Sequence, residues 1–177
     1  MIFTDKIYPR PVAEMILNGS KCQTRRLVKA GQETDSFPEK DSEWFRKNNI
    51  PTYAISVPEN DFYRVLTKTG KVKWQVGQDY AVQLGRGKVG LYYPHPCNGI
   101  LTPLRIKITS IPKERLLDIT EEDAKKEGFK NRQAFLYAFF KLQLKGRKKT
   151  VSLHEFFNGK MPNFNPEVWV INFEVKK

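Results

Sequence analysis

Apolar residues spaced three and four apart along this chain predict three helices. The first falls in residues 9–18, and Gly19 follows where a left-handed C-terminal cap is expected. A Thr-x-x-Asp capping box opens a second, acidic helix over residues 121–127. Asn131 caps a longer third helix, whose aromatic stripe has the spacing of a core-facing surface.

Apolar residues alternating with polar ones predict a set of short strands. Residues 62–67 and 72–76 are typical of a hairpin, and residues 80–84 follow as another strand. Residues 104–111 alternate as a half-buried strand. Residues 167–175 are apolar on both faces, which indicates a central strand rather than an edge strand.

The remaining long stretches are polar or rich in glycine and proline. Residues 29–50 are predicted as a loop with one short helix around Trp44, and residues 85–103 as a long surface excursion. No internal repeat or linker divides the chain. We therefore expect a single domain over residues 1–177, of the α+β class, with helices flanking a small, strongly bent sheet or barrel.

The chain is strongly basic, with 31 Lys+Arg against 19 Asp+Glu, a net charge of +12 and a pI near 9.7. An excess of positive charge favours polyanionic partners, because each cation placed on a phosphate releases condensed counterions. The same excess also serves plain solubility, so the charge alone leaves both interpretations open.

Several classes of protein do not fit the sequence. Its apolar runs are shorter than the ~20 residues that cross a bilayer, and its first residues lack the pattern of a secretory signal. Cys22, Cys97, His95 and His154 show no recognised metal-ligand spacing. We expect no membrane span, metal or cofactor, two free thiols, a cytoplasmic location and a monomer.

One short motif carries a resemblance to a known family. Gly19, Lys21, Thr24 and Arg26 match the G-x-K-x-x-T-x-R signature of the ASCH family at every fixed position. The motif directly follows a short amphipathic helix, as it does in that family. Three further segments are similar to the family: residues 76–79, 119–128 and 165–173.

The resemblance implies a PUA-like β-barrel with flanking helices and a cleft between them. It also implies that the cleft binds RNA or a modified nucleoside. Relative to the small members of the family, this chain carries extra material near residues 29–60 and 85–103. Those insertions lie where they would reshape the cleft.

The resemblance also implies a candidate chemistry. Some small ASCH proteins hydrolyse the amide of N4-acetylcytidine with a lysine, a threonine and a glutamate, which correspond here to Lys21, Thr24 and Glu127. Thr24 would supply the nucleophile, Glu127 would transfer protons, and Lys21 would act either as a base or as an electrostatic clamp. Two alternatives stay open: an RNA-binding module without catalysis, and a metal-independent ribonuclease.

Other residues are candidates for binding rather than chemistry. Gly19, Arg25 and Arg26 belong to the motif and would approach the phosphate or the substrate. Tyr92 and Tyr93 lie in the glycine- and proline-rich excursion, where an exposed ring can stack on a base.

A second interpretation of the same residues involves no site. The cations of the motif would then be ordinary surface charges, Thr24 a strand residue, and Glu127 an exposed helical residue paired with Lys130. Trp74 and Tyr80 are also aromatic candidates for stacking, but their strand positions favour core packing.

Overall fold

The computed structural model of the protein describes residues 1, 3, 11–35, 61–83, 103–143 and 165–176. These residues form three α-helices, one 3-10 turn and eight strands. In chain order the elements are α1 (Val12–Leu17), β1 (Gln23–Leu27), β2 (Thr34–Asp35), β3 (Arg64–Leu66), β4 (Val72–Gln75), β5 (Asp79–Ala81), β6 (Arg105–Ser110), β7 (Lys113–Arg115), the 3-10 turn (Leu116–Asp118), α2 (Glu121–Lys126), α3 (Arg132–Gln143) and β8 (Glu167–Val175).

The larger sheet is organised around β8. Its strand order is β1-β8-β6-β5, and β7 also pairs with β8, all antiparallel. Residues 168–171 are all buried, because both faces of β8 are covered. The predicted central strand over residues 167–175 is therefore confirmed.

A smaller antiparallel sheet, in the order β2-β3-β4, faces the larger one across an apolar core. Val65 and Trp74 of the small sheet share one buried cluster with Ile108, Trp169 and Ile171 of the large sheet. Trp74 is a core residue, as its pattern predicted. The strands form a curled antiparallel half-barrel with a few helices, which confirms the predicted α+β class.

Two helices cover the opposite face of β8. Phe135 and Phe139 of α3 pack in one cluster with Val168 and Val170, as the aromatic stripe predicted. Both predicted helix caps are also formed. The Thr120 hydroxyl accepts a hydrogen bond from the Asp123 amide at 3.1 Å, and Asn131 Oδ1 accepts one from Ala134 at 2.8 Å.

The structure also departs from the prediction in short elements. The first helix is limited to Val12–Leu17 in the described residues. Three of the eight strands were not predicted outright. β1 lies in a segment that the sequence left open as extended or looped, β2 lies in a stretch predicted as loop, and β7 has no alternating pattern of its own. The predicted helix around Trp44, residues 36–60 and residues 84–102 lie outside the described residues.

Candidate functional site

The motif that follows α1 is anchored to the end of α2. Gly19 has a φ of +78°, so the chain reverses there, and the Lys21 amide donates to the Met15 carbonyl at 2.9 Å. The backbone of Lys21 then forms an isolated bridge with Glu127. The Cys22 amide donates to the Lys126 carbonyl at 3.0 Å. These contacts bring the C-terminal end of α2 against the start of β1.

Lys21 and Glu127 form a fully buried ion pair, and each residue is 1% exposed. Lys21 Nζ donates to Glu127 Oε2 at 3.0 Å, to the Glu127 carbonyl at 2.9 Å and to the Gln23 carbonyl at 2.8 Å. An ammonium has three N–H donors, and these three acceptors match them. Of the two roles considered for Lys21, this geometry favours the clamp over a free base. The interpretation of Glu127 as an exposed partner of Lys130 is wrong.

Arg25 extends this ion pair into a larger group, which we call the buried charge network: Lys21, Arg25, Glu114, Asp123 and Glu127. The Arg25 guanidinium contacts Glu114 Oε1 through Nε at 2.8 Å and through Nη2 at 2.6 Å. It lies 3.4 Å from Asp123 Oδ2. Arg25 is only 4% exposed, so it is not an ordinary surface charge.

The carboxylates around Arg25 respond differently to their surroundings. Burial raises the pKa of Glu114, although the charge and the hydrogen bond of Arg25 act in the opposite direction. Burial also acts to raise the pKa of Asp123, but the Thr120 hydrogen bond and the Arg25 charge outweigh it, so that the pKa is lowered. Arg25 therefore holds together carboxylates that would otherwise repel one another.

Glu127 keeps one oxygen without a hydrogen bond. Its Oε1 is buried, finds no hydrogen-bond donor in the described part of the chain, and lies 3.6 Å from Arg25 Nη1. A buried acceptor without a donor costs about 1–3 kcal/mol. This oxygen therefore keeps the capacity to accept one more hydrogen bond or a proton.

Thr24 lies on the other face of the strand. Thr24 pairs with Ile171 and Arg26 pairs with Trp169, so alternation places both on the concave side of the sheet. Gln23 and Arg25 point the other way, towards the helices. Thr24 is 2% exposed, and in the described residues no hydrogen bond joins its hydroxyl to Lys21 or Glu127.

Three cations lie near one another beside the end of β1, and we call them the basic cluster: Arg26, Lys29 and Lys73. Burial, together with the charges of Lys29 and Arg26, lowers the pKa of Lys73 to about 8. Lys73 Nζ lies 4.0 Å from the centre of the Trp74 ring. Sequence reasoning missed Lys73, because nothing in its strand pattern shows that β4 faces the motif.

A single ring connects the two groups of charges. Lys21 Nζ lies 5.7 Å from the centre of the Phe3 ring, and Arg26 Cζ lies 5.8 Å from the same centre. Phe3 itself is buried against Phe173 of β8. The buried charge network and the basic cluster are therefore neighbours at the β1 edge of the half-barrel.

The other predicted site features are accounted for more briefly. Gly19 is exposed, and no atom of the described residues lies within 4 Å of where its Cβ would be. Tyr92 and Tyr93 lie outside the described residues. Cys22 is a free, half-buried thiol. Across the described ranges no group of three His, Cys, Asp or Glu is placed to hold a metal, and no helix there has the apolar length to span a membrane.

Two solved structures resemble the α+β fold of this chain. One is an ASCH domain from Lactobacillus crispatus JV V101, at 17% identity and a TM-score of 0.43 over 92% of this chain and 69% of that one. The other is protein EF3133 from Enterococcus faecalis V583, of family DUF984, at 13% identity and a TM-score of 0.40 over 92% and 68%. No family model and no curated protein matches the chain. Similarity of this size bears on neither ligand nor reaction.

Proposed function

We propose that the protein binds RNA or a modified nucleoside beside the end of β1, with phosphate held by the basic cluster. The observation that carries this proposal is the proximity of Lys29 and Arg26 to Lys73, whose pKa is lowered to about 8 by burial and by these two charges. Within the described residues no acidic side chain pairs with Lys29 or Lys73. Lys29 and Lys73, two cations without such a carboxylate, are suited to an anionic ligand.

A bound phosphate would offset the repulsion among these cations. Partial burial, and after it the like charges of Lys29 and Arg26, disfavour the ammonium form of Lys73. A phosphate placed among them would remove that repulsion and release the counterions of the nucleic acid. Tyr92 and Tyr93 remain the proposed stacking platform for the base.

Binding of a short single-stranded RNA, followed by fluorescence anisotropy, tests the proposal. Lys73→Gln is expected to weaken binding about tenfold, as the loss of one charge-assisted hydrogen bond of about 1.5 kcal/mol predicts. Lys125→Gln is the matched control, because Lys125 is exposed on α2, on the far side of the sheet. Equal effects of the two substitutions, or no binding by the native protein, would refute the proposal.

A second candidate function is hydrolysis of an N4-acylated cytidine, favoured by the unpartnered Oε1 of Glu127. The Thr24 hydroxyl would attack the acyl carbon. Because Thr24 and Glu127 lie on opposite faces of β1, the hydroxyl proton would pass through a water molecule to Glu127, which would deliver it to the departing N4 amine. Water would then hydrolyse the acyl-threonine to acetate. Lys21 would clamp Glu127, since its three donors are already engaged.

This second candidate is tested by acetate release from N4-acetylcytidine. Thr24→Val and Glu127→Gln should each abolish turnover while RNA binding at the basic cluster persists. Absence of acetate release by the folded native protein eliminates this chemistry for that substrate. RNA recovered at full length with EDTA present separates both candidates from a metal-independent ribonuclease.

A further inference from the structure

A polar groove lies beside the basic cluster, at the turn that follows β1. It encloses about 630 Å³ between residues 28–34 on one side and β7 with the start of β8 on the other. Lys29, Lys113 and Arg115 contribute cations to its lining, and Trp169 contributes an indole ring. Of the residues that line this groove, only Lys29 takes part in the candidate functions above.

The side chain of Gln32 is fixed in one orientation in the groove wall. Its Oε1 accepts from the Lys29 amide at 2.7 Å and from Trp169 Nε1 at 3.2 Å. A flipped amide would turn an N–H towards both of these donors, so the orientation is set. Gln32 Nε2 is buried and has no acceptor in the described residues, so the groove wall contains an unused donor.

The charges around this donor are mostly positive. Lys113 is ion-paired with Glu167 at 3.4 Å, and Arg115 donates to the Asn165 carbonyl at 3.1 Å. The alkyl chain of Lys68 packs over Gly31, its Cβ 3.5 Å from the position a Gly31 Cβ would take. The groove and the basic cluster share Lys29. This residue lines the groove, and its charge helps to lower the pKa of Lys73 in the basic cluster.

We infer that this groove is a second phosphate subsite, in which Gln32 Nε2 and the surrounding cations receive the next phosphodiester of a bound single strand. The inference rests on the proposed function and deepens it, because it makes the ligand a strand rather than a lone nucleoside. Lys29 lies between the two subsites and connects them. A phosphate oxygen at the groove wall would supply the acceptor that Gln32 lacks.

Gln32→Glu tests whether Gln32 Nε2 donates to a bound phosphodiester. The substitution keeps the Oε1 that accepts from Lys29 and Trp169, but replaces the donor with a negatively charged acceptor. We expect it to weaken binding of a four-nucleotide RNA about tenfold or more, while cytidine monophosphate binds as before. Gln133→Glu is the control, because Gln133 is exposed on α3 across the sheet and undergoes the same change. The Trp169 indole N–H resonance should shift with the RNA and stay in place with the mononucleotide.

The outcomes distinguish this inference from the proposed function. If the native protein binds the oligonucleotide no better than the mononucleotide, the second subsite is refuted and the first survives. If Gln32→Glu binds the oligonucleotide like the native protein, the subsite is again refuted. If inorganic phosphate alone shifts the Trp169 resonance at equal concentration, the groove holds a free anion and not a strand. If the native protein binds neither nucleotide ligand, both ideas fail.

Discussion

The ammonium of Lys21 and the carboxylate of Glu127 are removed from water together, and each depends on the other. A charge left alone in such a place is destabilising, because its desolvation is no longer offset. We expect Lys21→Met to lower the free energy of unfolding by about 3–5 kcal/mol, measured by urea denaturation. Lys126→Met should change it by less than about 0.5 kcal/mol, because Lys126 is exposed and its ion pair with Asp123 spans 3.8 Å.

The interaction itself can be measured with a double-mutant cycle. The loss in the combined variant Lys21→Met and Glu127→Gln should be smaller than the sum of the two single losses by about 1–3 kcal/mol. Additive losses would mean that the two groups do not stabilise each other. That result would mean that Lys21 does not hold Glu127 in position in the proposed site.

The lowered pKa of Lys73 predicts how binding depends on pH. Below about pH 8 the ammonium is already charged, so affinity for RNA should be flat there. Above it, binding must take up a proton, so affinity should fall as pH rises. Lys73→Arg should bind at pH 7 and lose this dependence, since arginine stays charged. A fall that persists unchanged in Lys73→Arg would assign the dependence to another group.

The lowered pKa of Lys73 has the opposite effect on stability: rising pH should weaken RNA binding but increase the free energy of unfolding. Between about pH 8 and the ordinary lysine pKa of 10.5, the unfolded chain still binds a proton that folded Lys73 has released. The free energy of unfolding therefore gains a contribution as pH rises through this window. Measuring both curves on the same variants separates a ligand effect from a folding effect.

At the scale of elements, the contact between α1 and α2 sets the position of Glu127. Gly128 ends α2 with a φ of +89°, and an added Cβ there would lie 3.0 Å from Met15 Sδ of α1. Gly128→Ala should therefore lower the free energy of unfolding by more than the roughly 1 kcal/mol that alanine costs in the left-handed backbone conformation. Gly19→Ala is the control, because Gly19 has a similar φ of +78° and open space around it. Equal losses of stability in the two variants would mean that Met15 yields without cost.

The elements that the sequence predicts are those whose own pattern is complete. β8 is apolar on both faces and is central, while Thr120 and Asn131 cap the helices that their spacing predicts. β2 and β7 have two and three residues, too few to show alternation, and they exist because longer strands offer free edges. Tertiary pairing, rather than local preference, decides such short strands.

The candidate site is also predicted only in part, because tertiary pairing decides which side chains meet. The family resemblance implies that Lys21, Thr24 and Glu127 belong together, and the structure joins Lys21 to Glu127. It does not join Thr24 to them, because β1 turns alternate side chains to opposite faces. Glu114 and Lys73 had no sequence signal, since each reaches the site from a strand that only the folded sheet places there.

The molecule has a net charge of +12, and its charged residues near β1 fall into two groups with different charge balance. On the helix side, two cations of the buried charge network meet three carboxylates and are neutralised. Beside the end of β1, Lys29 and Lys73 of the basic cluster have no carboxylate partner in the described residues. If the proposed function holds, we expect a polyanion to bind at the basic cluster and not at the buried charge network.

Salt dependence distinguishes this local attraction from a general effect of net charge. Three phosphate contacts on a single strand predict that the logarithm of the binding constant falls with the logarithm of salt at a slope of about −2. Lys73→Gln should reduce that slope by about 0.7, and Lys125→Gln should leave it unchanged, although both remove one charge. If RNA binding depended only on the overall charge of the protein, the two substitutions would reduce the slope equally. Titrations from 50 to 200 mM salt, the range over which phosphate contacts change affinity most visibly, would show which holds.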